Sequence, residues 1–396
     1  MIPRLKPYFN FKEIMAVLKP QGNALEKFEN EFAKTFEAKY AISFPYGRSA
    51  IYALLECMGI KDSEIIVPAY TCVVVPHAVV LSGNIPRFID AKEDFNLDME
   101  EVKKKINKRT KAIIPGNIFG YPVNTDELKK IKKDILVIQD CAHCFGATWN
   151  GKLVCNEGDV AFFSLNFSKQ LSSVFGGILT TNDKKIYLKL KEYQENNFKN
   201  PGIRRFFKAL FYFLSTYLVF NKFLYNFTHY FDYLEEKKGL GKITKYYNEN
   251  KIDFPKDAFE KMSSLEAKIG LEQIKKYPEI AKRRKEIAQL YKDGLKGIPG
   301  LILPPAVEGA TYSHYVPRIK NREKVIKNMK KMGVQLGRLI EYSIPHMRVY
   351  QKYRDGEFGN SLQFSKTTIN LPIHPSLGDE EIKDIIKKFK NYKLIL

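Results

Sequence analysis

The chain has 396 residues, 44% hydrophobic and 28% charged, an ordinary globular composition with room for one large and one smaller domain. Its formal charge of +21 is mostly lysine spread along the chain, which suits a solvated basic surface, an anionic membrane or a pyrophosphate-bearing substrate; no recognition motif accompanies it, so nucleic acid is set aside. The five cysteines (Cys57, Cys72, Cys141, Cys144, Cys155) are an odd number without a second CxxC pair, and MIPRLKPYFN has no apolar signal core, so no disulfide framework, no metal site and a reducing cytoplasm are expected.

Leu25, Phe28 and Phe32 fall at helical spacing behind Asn23, and residues 40–44 read as the first strand. Pro45-Tyr46-Gly47-Arg48-Ser49 then turns into a helix. Amides at such a start bind anions, and Ser49 adds a hydroxyl; Arg48 either pairs with a phosphate or points to solvent or to an acidic neighbour. Residues 65–68 are a short buried strand, followed by a helix near 73–82. Further strands are expected at 87–90, 111–115 and 135–138, with a helix at 126–133 between the last two. Strands alternating with helices predict an α/β fold with a mainly parallel sheet between helices. No GxGxxG occurs, so a dinucleotide is not expected.

Residues 159–183 organise the rest. Val160 to Phe163 is an apolar run ending at Ser164. Lys169 follows on a turn, and Gly176-Gly177 allow a return into a second strand, Ile178 to Thr181. Upstream, the apolar strand 135–138 ends in Gln139-Asp140, and ligands in open α/β sheets lie off the carboxyl ends of the strands. A lysine on a turn near an aspartate at a strand end meets the needs of pyridoxal phosphate: the amine forms a Schiff base with the aldehyde, and the carboxylate keeps the pyridine nitrogen protonated.

These residues, with Ile65 to Thr71, Thr110 to Pro115, Phe119-Gly120-Tyr121-Pro122, Gln139 to His143, Gly158-Asp159 and Leu371 to Pro375, occur in an order that resembles the DegT-type nucleotide-sugar aminotransferases. The likeness covers most of the chain except a central block. It implies a fold type I pyridoxal-phosphate transferase, with a seven-stranded-type sheet, a smaller C-terminal α/β domain and a homodimer. It implies Lys169 and Asp140 as catalytic residues. It also implies a cofactor site of Gly47, Arg48, Ser49, Cys72, Asp140, His143, Ser164 and Lys169. Four residues depart from the family pattern. Cys72 stands where an aromatic residue usually stacks on the ring, with His77 as a candidate substitute. His143 stands where a glutamine usually touches the ring oxygen. Phe259 and Lys261 stand where an Asn-x-Arg usually reaches across the dimer.

Residues 204–233 are crowded with Phe, Tyr and Leu, uncharged from Ala209 to Asn221 and again after Lys222. Two readings stand: helices lying in a membrane interface with Arg204, Arg205 and Lys208 near lipid phosphates, or a helical hairpin packed on the protein or its dimer partner; a spanning element is disfavoured by length. The expected division is a large cofactor-binding domain at 1–200, this insertion at 201–252 and a small domain at 253–396, with helices at 274–295 and 380–392. The resemblance implies transfer of an amino group from an amino acid, by likeness L-glutamate, to a nucleotide-activated keto sugar in cell-surface polysaccharide or glycan biosynthesis. The alternatives are a sugar dehydratase, a class that replaces the lysine with histidine, or a silent cofactor-binding or membrane-surface protein. The expected location is the cytoplasm, with or without peripheral contact at the inner face of the membrane.

Overall fold

A computed structural model describes residues 1–20, 22–131, 134–220, 225 and 251–391. Its strands in chain order are β1 (Tyr40–Phe44), β2 (Glu64–Pro68), β3 (Ile85–Ile89), β4 (Thr110–Ile113), β5 (Leu136–Asp140), the short pair β6 (Thr148–Trp149) and β7 (Lys152–Leu153), β8 (Val160–Ser164), β9 (Gly177–Thr181), and a separate antiparallel pair, β10 (Leu301–Ile302) and β11 (Arg318–Ile319). Seven of them form one sheet in the order β1-β9-β8-β5-β4-β2-β3. The pairs β2–β3, β2–β4, β4–β5 and β5–β8 are parallel, and β9 runs antiparallel to both β8 and β1. The mainly parallel seven-stranded sheet and its type I fold therefore hold, with a single reversed strand where Gly176-Gly177 turns the chain back.

Both faces of the sheet are covered, which is why its strands read as unbroken apolar runs. Ile65 and Val67 enter the core beneath α3 (Gly47–Cys57) and α4 (Val74–Leu81), while Ile66 between them enters another with Ile89, Leu97 and Ile113. Phe28 and Phe32 of α2 (Ala24–Thr35) enter a third, as their helical spacing predicts: Phe32 meets Phe28, Phe145 and Phe163 edge-on and Phe36 at a tilt. The helix expected at 126–133 is shorter: Thr125–Leu128 is helical, capped by the Asn124 side chain.

The helix expected at 274–295 begins earlier, at Ser264, and runs unbroken through Pro278 to Leu295. Ser263 caps it: its hydroxyl accepts from the Glu266 N–H, and Glu266 accepts from the Ser263 N–H at 2.8 Å. The far half of this helix seats a separate core, where Ile287, Tyr291 and Leu295 meet Met329, Leu371, Ile382 and Phe389.

The basic start of the insertion differs from the interfacial reading. Within helix Ile203–Val219, Arg205 and Lys208 turn inward rather than toward lipid. Arg205 is 2% exposed; it donates to Glu266 at 2.6 and 3.0 Å, to Asp257 at 3.2 Å and to the Pro45 carbonyl at 3.3 Å. Lys208 donates to Asp257 at 2.8 Å. Arg204 and a row of apolar side chains, Ile203, Phe207, Phe211, Leu214 and Leu218, face outward. Among the described residues no helix is long and apolar enough to cross a membrane. The second uncharged stretch lies, apart from Tyr225, outside the described residues. Removing one member of a buried ion pair strands the other, so Arg205→Ala is expected to lower unfolding free energy by about 3–5 kcal/mol. Chemical denaturation checks this; an unchanged midpoint would mean that the pair contributes nothing.

Candidate active site

Asp140 ends β5 and pairs in parallel register with Phe162 of β8, so Asp140 and Ser164 emerge at neighbouring carboxyl ends of the sheet. The loop after β8 folds on itself. Leu165 N–H donates to Gly176 O at 2.9 Å, Phe167 N–H to Val174 O at 3.0 Å, and Ser173 N–H to Leu165 O at 2.9 Å. Lys169 sits on this loop, its N–H bonded to Asn166 O at 2.9 Å. Gly176 takes φ 118°, open to glycine alone at low cost, and Gly177 lies so close to the turn before α3 that a Cβ there would come within 2.5 Å of the Tyr46 carbonyl carbon. The glycine pair thus lets the returning strand press the start of α3 against the lysine loop.

These elements enclose a cavity of about 220 Å3 lined by Gly47, Arg48, Cys72, Asp140, His143, Ser164 and Lys169. Ser49 is not among the lining residues. It is fully buried, its hydroxyl donating to Ala258 O at 2.8 Å and its N–H bonded to Tyr46 O, so it ties α3 to the insertion's return instead of facing the cavity. His77 is likewise absent from the lining; it stacks on Tyr350 at 5.8 Å inside the core. Among the walls that sequence reasoning did not assign are Val74, Val75, Leu339, Ile340 and Tyr342. Leu339 and Ile340 stand some 170 residues beyond Lys169 and carry no motif. Two bonds bring their loop in: the Tyr342 hydroxyl accepts from Val73 N–H at 3.1 Å, and Ile344 N–H donates to Ala69 O at 3.0 Å.

The charges here are poorly solvated. Asp140 is 5% exposed, and its carboxylate accepts from Ala142 N–H at 3.0 Å. Burial pushes its carboxyl up to about 7, against the opposing pull of that bond and of Lys169. Burial lowers the Lys169 ammonium, with Cys72 and Asp140 opposing. Lys169 is half-buried and lines the cavity. His143 is held far below its usual range by burial first, with the Lys169 charge and the neighbouring His314 adding to it, and is neutral. Its Nδ1 accepts from Phe119 N–H at 3.2 Å, which leaves the ring proton on Nε2. Phe119 reaches this place through left-handed backbone at Asn117, Phe119 and Gly120, and Asn117 Nδ2 donates to Gln139 Oε1 at 2.8 Å.

The residues fit pyridoxal phosphate. A buried carboxyl with no basic side chain in ion-pair range among the described residues is a seat for a cationic ring nitrogen. The start of α3, an eleven-residue helix, offers amides for a phosphate, with Arg48 and Ser164 beside it.

A carboxyl whose folded-state value is raised binds its proton more tightly when folded. Without cofactor, stability therefore falls as pH rises from about 4 to about 7. Asp140→Asn is expected to remove that slope, leaving the cofactor-free variant more stable than the cofactor-free parent at pH 8. Thermal melts at several pH values check this; parallel curves would mean that Asp140 titrates normally.

The chain matches the DegT/DnrJ/EryC1/StrS aminotransferase family over residues 11–222 and 238–390. It is 25% identical to the GDP-perosamine synthase of Escherichia coli O157:H7 over 380 residues, covering 94% of this chain and 91% of that protein. In fold it is similar to PseC of Helicobacter pylori, an aminotransferase of pseudoaminic acid biosynthesis (TM-score 0.78, 20% identity, 98% of each chain). It is equally similar to the GDP-4-keto-6-deoxy-D-mannose-3-dehydratase of E. coli with bound hydrated PLP (TM-score 0.78, 21% identity, 98% of this chain and 99% of that one). With the family matched along nearly its whole length, and with its motif residues gathered around one cavity, this chain belongs to the DegT/DnrJ/EryC1/StrS aminotransferases.

Proposed function

We propose that the protein is a pyridoxal-phosphate-dependent aminotransferase that moves an amino group from an amino acid, by family likeness L-glutamate, to a nucleotide-linked keto sugar for cell-surface glycan assembly. The observation that carries this is one cavity lined by a desolvated amine at Lys169 and a buried carboxyl at Asp140 without a basic partner among the described residues. The bound cofactor supplies an electron sink for a carbanion beside nitrogen. Asp140 holds the proton on the ring nitrogen, and a fixed positive charge there would return its carboxyl to the ionised form. Lys169 would anchor the cofactor and would move the proton at the donor's α-carbon; its lowered proton affinity favours the free amine that this needs. His143 presents Nε2–H to the ring oxygen, replacing the family glutamine's donor. Gly47, Arg48 and Ser164 would hold the phosphate, and Cys72 would face the ring. Val74, Leu339 and Ile340 keep bulk water from the reacting carbon. The lysine favours transamination over dehydration, because the related dehydratases carry histidine in its place.

The same reading takes a homodimer as the active unit, the domain division at 200 and 252, and a cytoplasmic location. The outward apolar row of helix Ile203–Val219 supports peripheral membrane contact. Light scattering without lipid should give twice the chain mass, and the protein should float with anionic vesicles unless Phe207 and Phe211 are changed to glutamate. A monomer mass, or flotation indifferent to those changes, counts against the respective partner.

Borohydride should fix the cofactor covalently to a peptide containing Lys169. L-glutamate should shift the visible spectrum with release of an oxo acid. In Lys169→Ala the covalent label should vanish and turnover should fall by about 100- to 10,000-fold. A label elsewhere, or ammonia in place of the oxo acid, would defeat the assignment.

A further inference from the structure

The large hydrophobic side chains that this chain leaves exposed are gathered on two helices: three lie on the N-terminal helix Phe11–Leu18, seven on helix Ile203–Val219 and three elsewhere among the described residues. Both helices pack against one core. Ile14 and Val17 of the first join Ala209 and Phe213 of the second and Leu265 and Ile269 of the long helix Ser264–Leu295. The Phe9 ring lies 5.4 Å from that of Phe213, and the Tyr217 hydroxyl donates to Asn10 O at 2.6 Å. Glu13 pins the N-terminal helix further: it is fully buried, accepts from Gln273 Nε2 at 2.7 Å and pairs with Lys276. What this helix leaves outward is ordered by its period. Phe11, Met15 and Leu18, at i, i+4 and i+7, form an apolar stripe, and Lys12 and Lys19 run beside it. Between this helix and the long one lies a groove of about 500 Å3, lined by Phe11, Met15 and Ala16 and by the cations Lys12, Lys19 and Lys275. Lys275 pairs with Glu272 at 2.6 Å; no carboxylate pairs with Lys12 or Lys19 among the described residues.

An apolar stripe edged by lysines suits a boundary between hydrocarbon and phosphate. The stripe can leave water there while the flexible lysine stems carry their ammonium groups to an anion at the same depth. A second copy of this chain, with the same +21 charge, would set lysine against lysine across a self-complementary face. We propose that the groove beside helix Phe11–Leu18 seats the phosphate headgroup of an anionic phospholipid, whose acyl chains lie over the apolar stripe and the outward row of helix Ile203–Val219. The proposal rests on the peripheral membrane contact inferred above and deepens it: the lipid is an anionic one, and the N-terminal helix, outside the insertion, selects it.

The probe is vesicles of phosphatidylcholine with or without phosphatidylglycerol, mixed with the cofactor-loaded protein and separated by flotation. The parent should partition onto the vesicles that contain phosphatidylglycerol and scarcely onto pure phosphatidylcholine. Lys12→Gln with Lys19→Gln should weaken that partitioning roughly thirtyfold, as expected for two lysines withdrawn from an anionic surface. The same charge removed at the exposed Lys324 and Lys327 of helix Arg322–Lys331 should leave it nearly unchanged. Phe11→Ser with Leu18→Ser, which keeps every charge, should also weaken it. Equal losses from the two lysine pairs, or phosphatidylcholine vesicles that bind as well, overturn the headgroup seat and leave the membrane contact standing. So does flotation that survives Phe11→Ser with Leu18→Ser but not Phe207→Glu with Phe211→Glu. A parent that floats with neither vesicle removes the membrane contact and the seat together. If its mass in solution is then a dimer's and Phe11→Ser with Leu18→Ser makes it a monomer's, the face belongs to a second copy instead.

Discussion

An amine and a carboxyl kept from water in one cavity set the terms for everything around them. Neither Lys169 nor Asp140 would be perturbed at the surface; burial alone drives the lysine down and the aspartate up. That condition requires strand ends that deliver both groups to one place, and a parallel sheet supplies it, since β5 and β8 end side by side. It also requires a close lid. The bare Cα atoms of Gly176 and Gly177 meet this need by letting β9 approach the start of α3 to a distance that no side chain would permit.

The insertion belongs to the same construction. Arg205 reaches from its helix to Glu266 at the start of the long helix, to Asp257 and to the carbonyl of Pro45, and its guanidinium lies 5.4 Å from the Tyr46 ring. Tyr46 in turn donates to Asp257 at 2.8 Å and precedes the Gly47 turn. A segment that reads as a surface appendage therefore braces the place where the cofactor phosphate is proposed to sit. The inward pull on Arg205 and Lys208 leaves the apolar row of their helix outside, with only Arg204 of the three cations turned outward.

His143 illustrates how a departure from a family pattern can be accommodated by backbone. An imidazole can donate as a glutamine amide does only if the proton sits on the right nitrogen. The Phe119 N–H occupies Nδ1 and leaves Nε2 to donate. The peptide can do so because the chain tolerates left-handed backbone at Asn117, Phe119 and Gly120, with Asn117 tied to Gln139.

Local sequence determined the strands, their burial and the lysine and aspartate that meet in the cavity, because these follow from short-range signals: unbroken apolar runs, a glycine pair, and a lysine and an aspartate beyond strand ends. It also marked Gly47, Arg48, Cys72, His143 and Ser164, which all line the cavity. Ser49 was legible as a hydroxyl beside an anion turn, yet its direction depends on Ala258, more than two hundred residues away, and packing turned it aside. The inward course of Arg205 and the wall formed by Leu339 and Ile340 were likewise beyond any local pattern. Each is decided by which distant segment lies opposite, and burial and charge pairing come into being only when the chain has closed on itself.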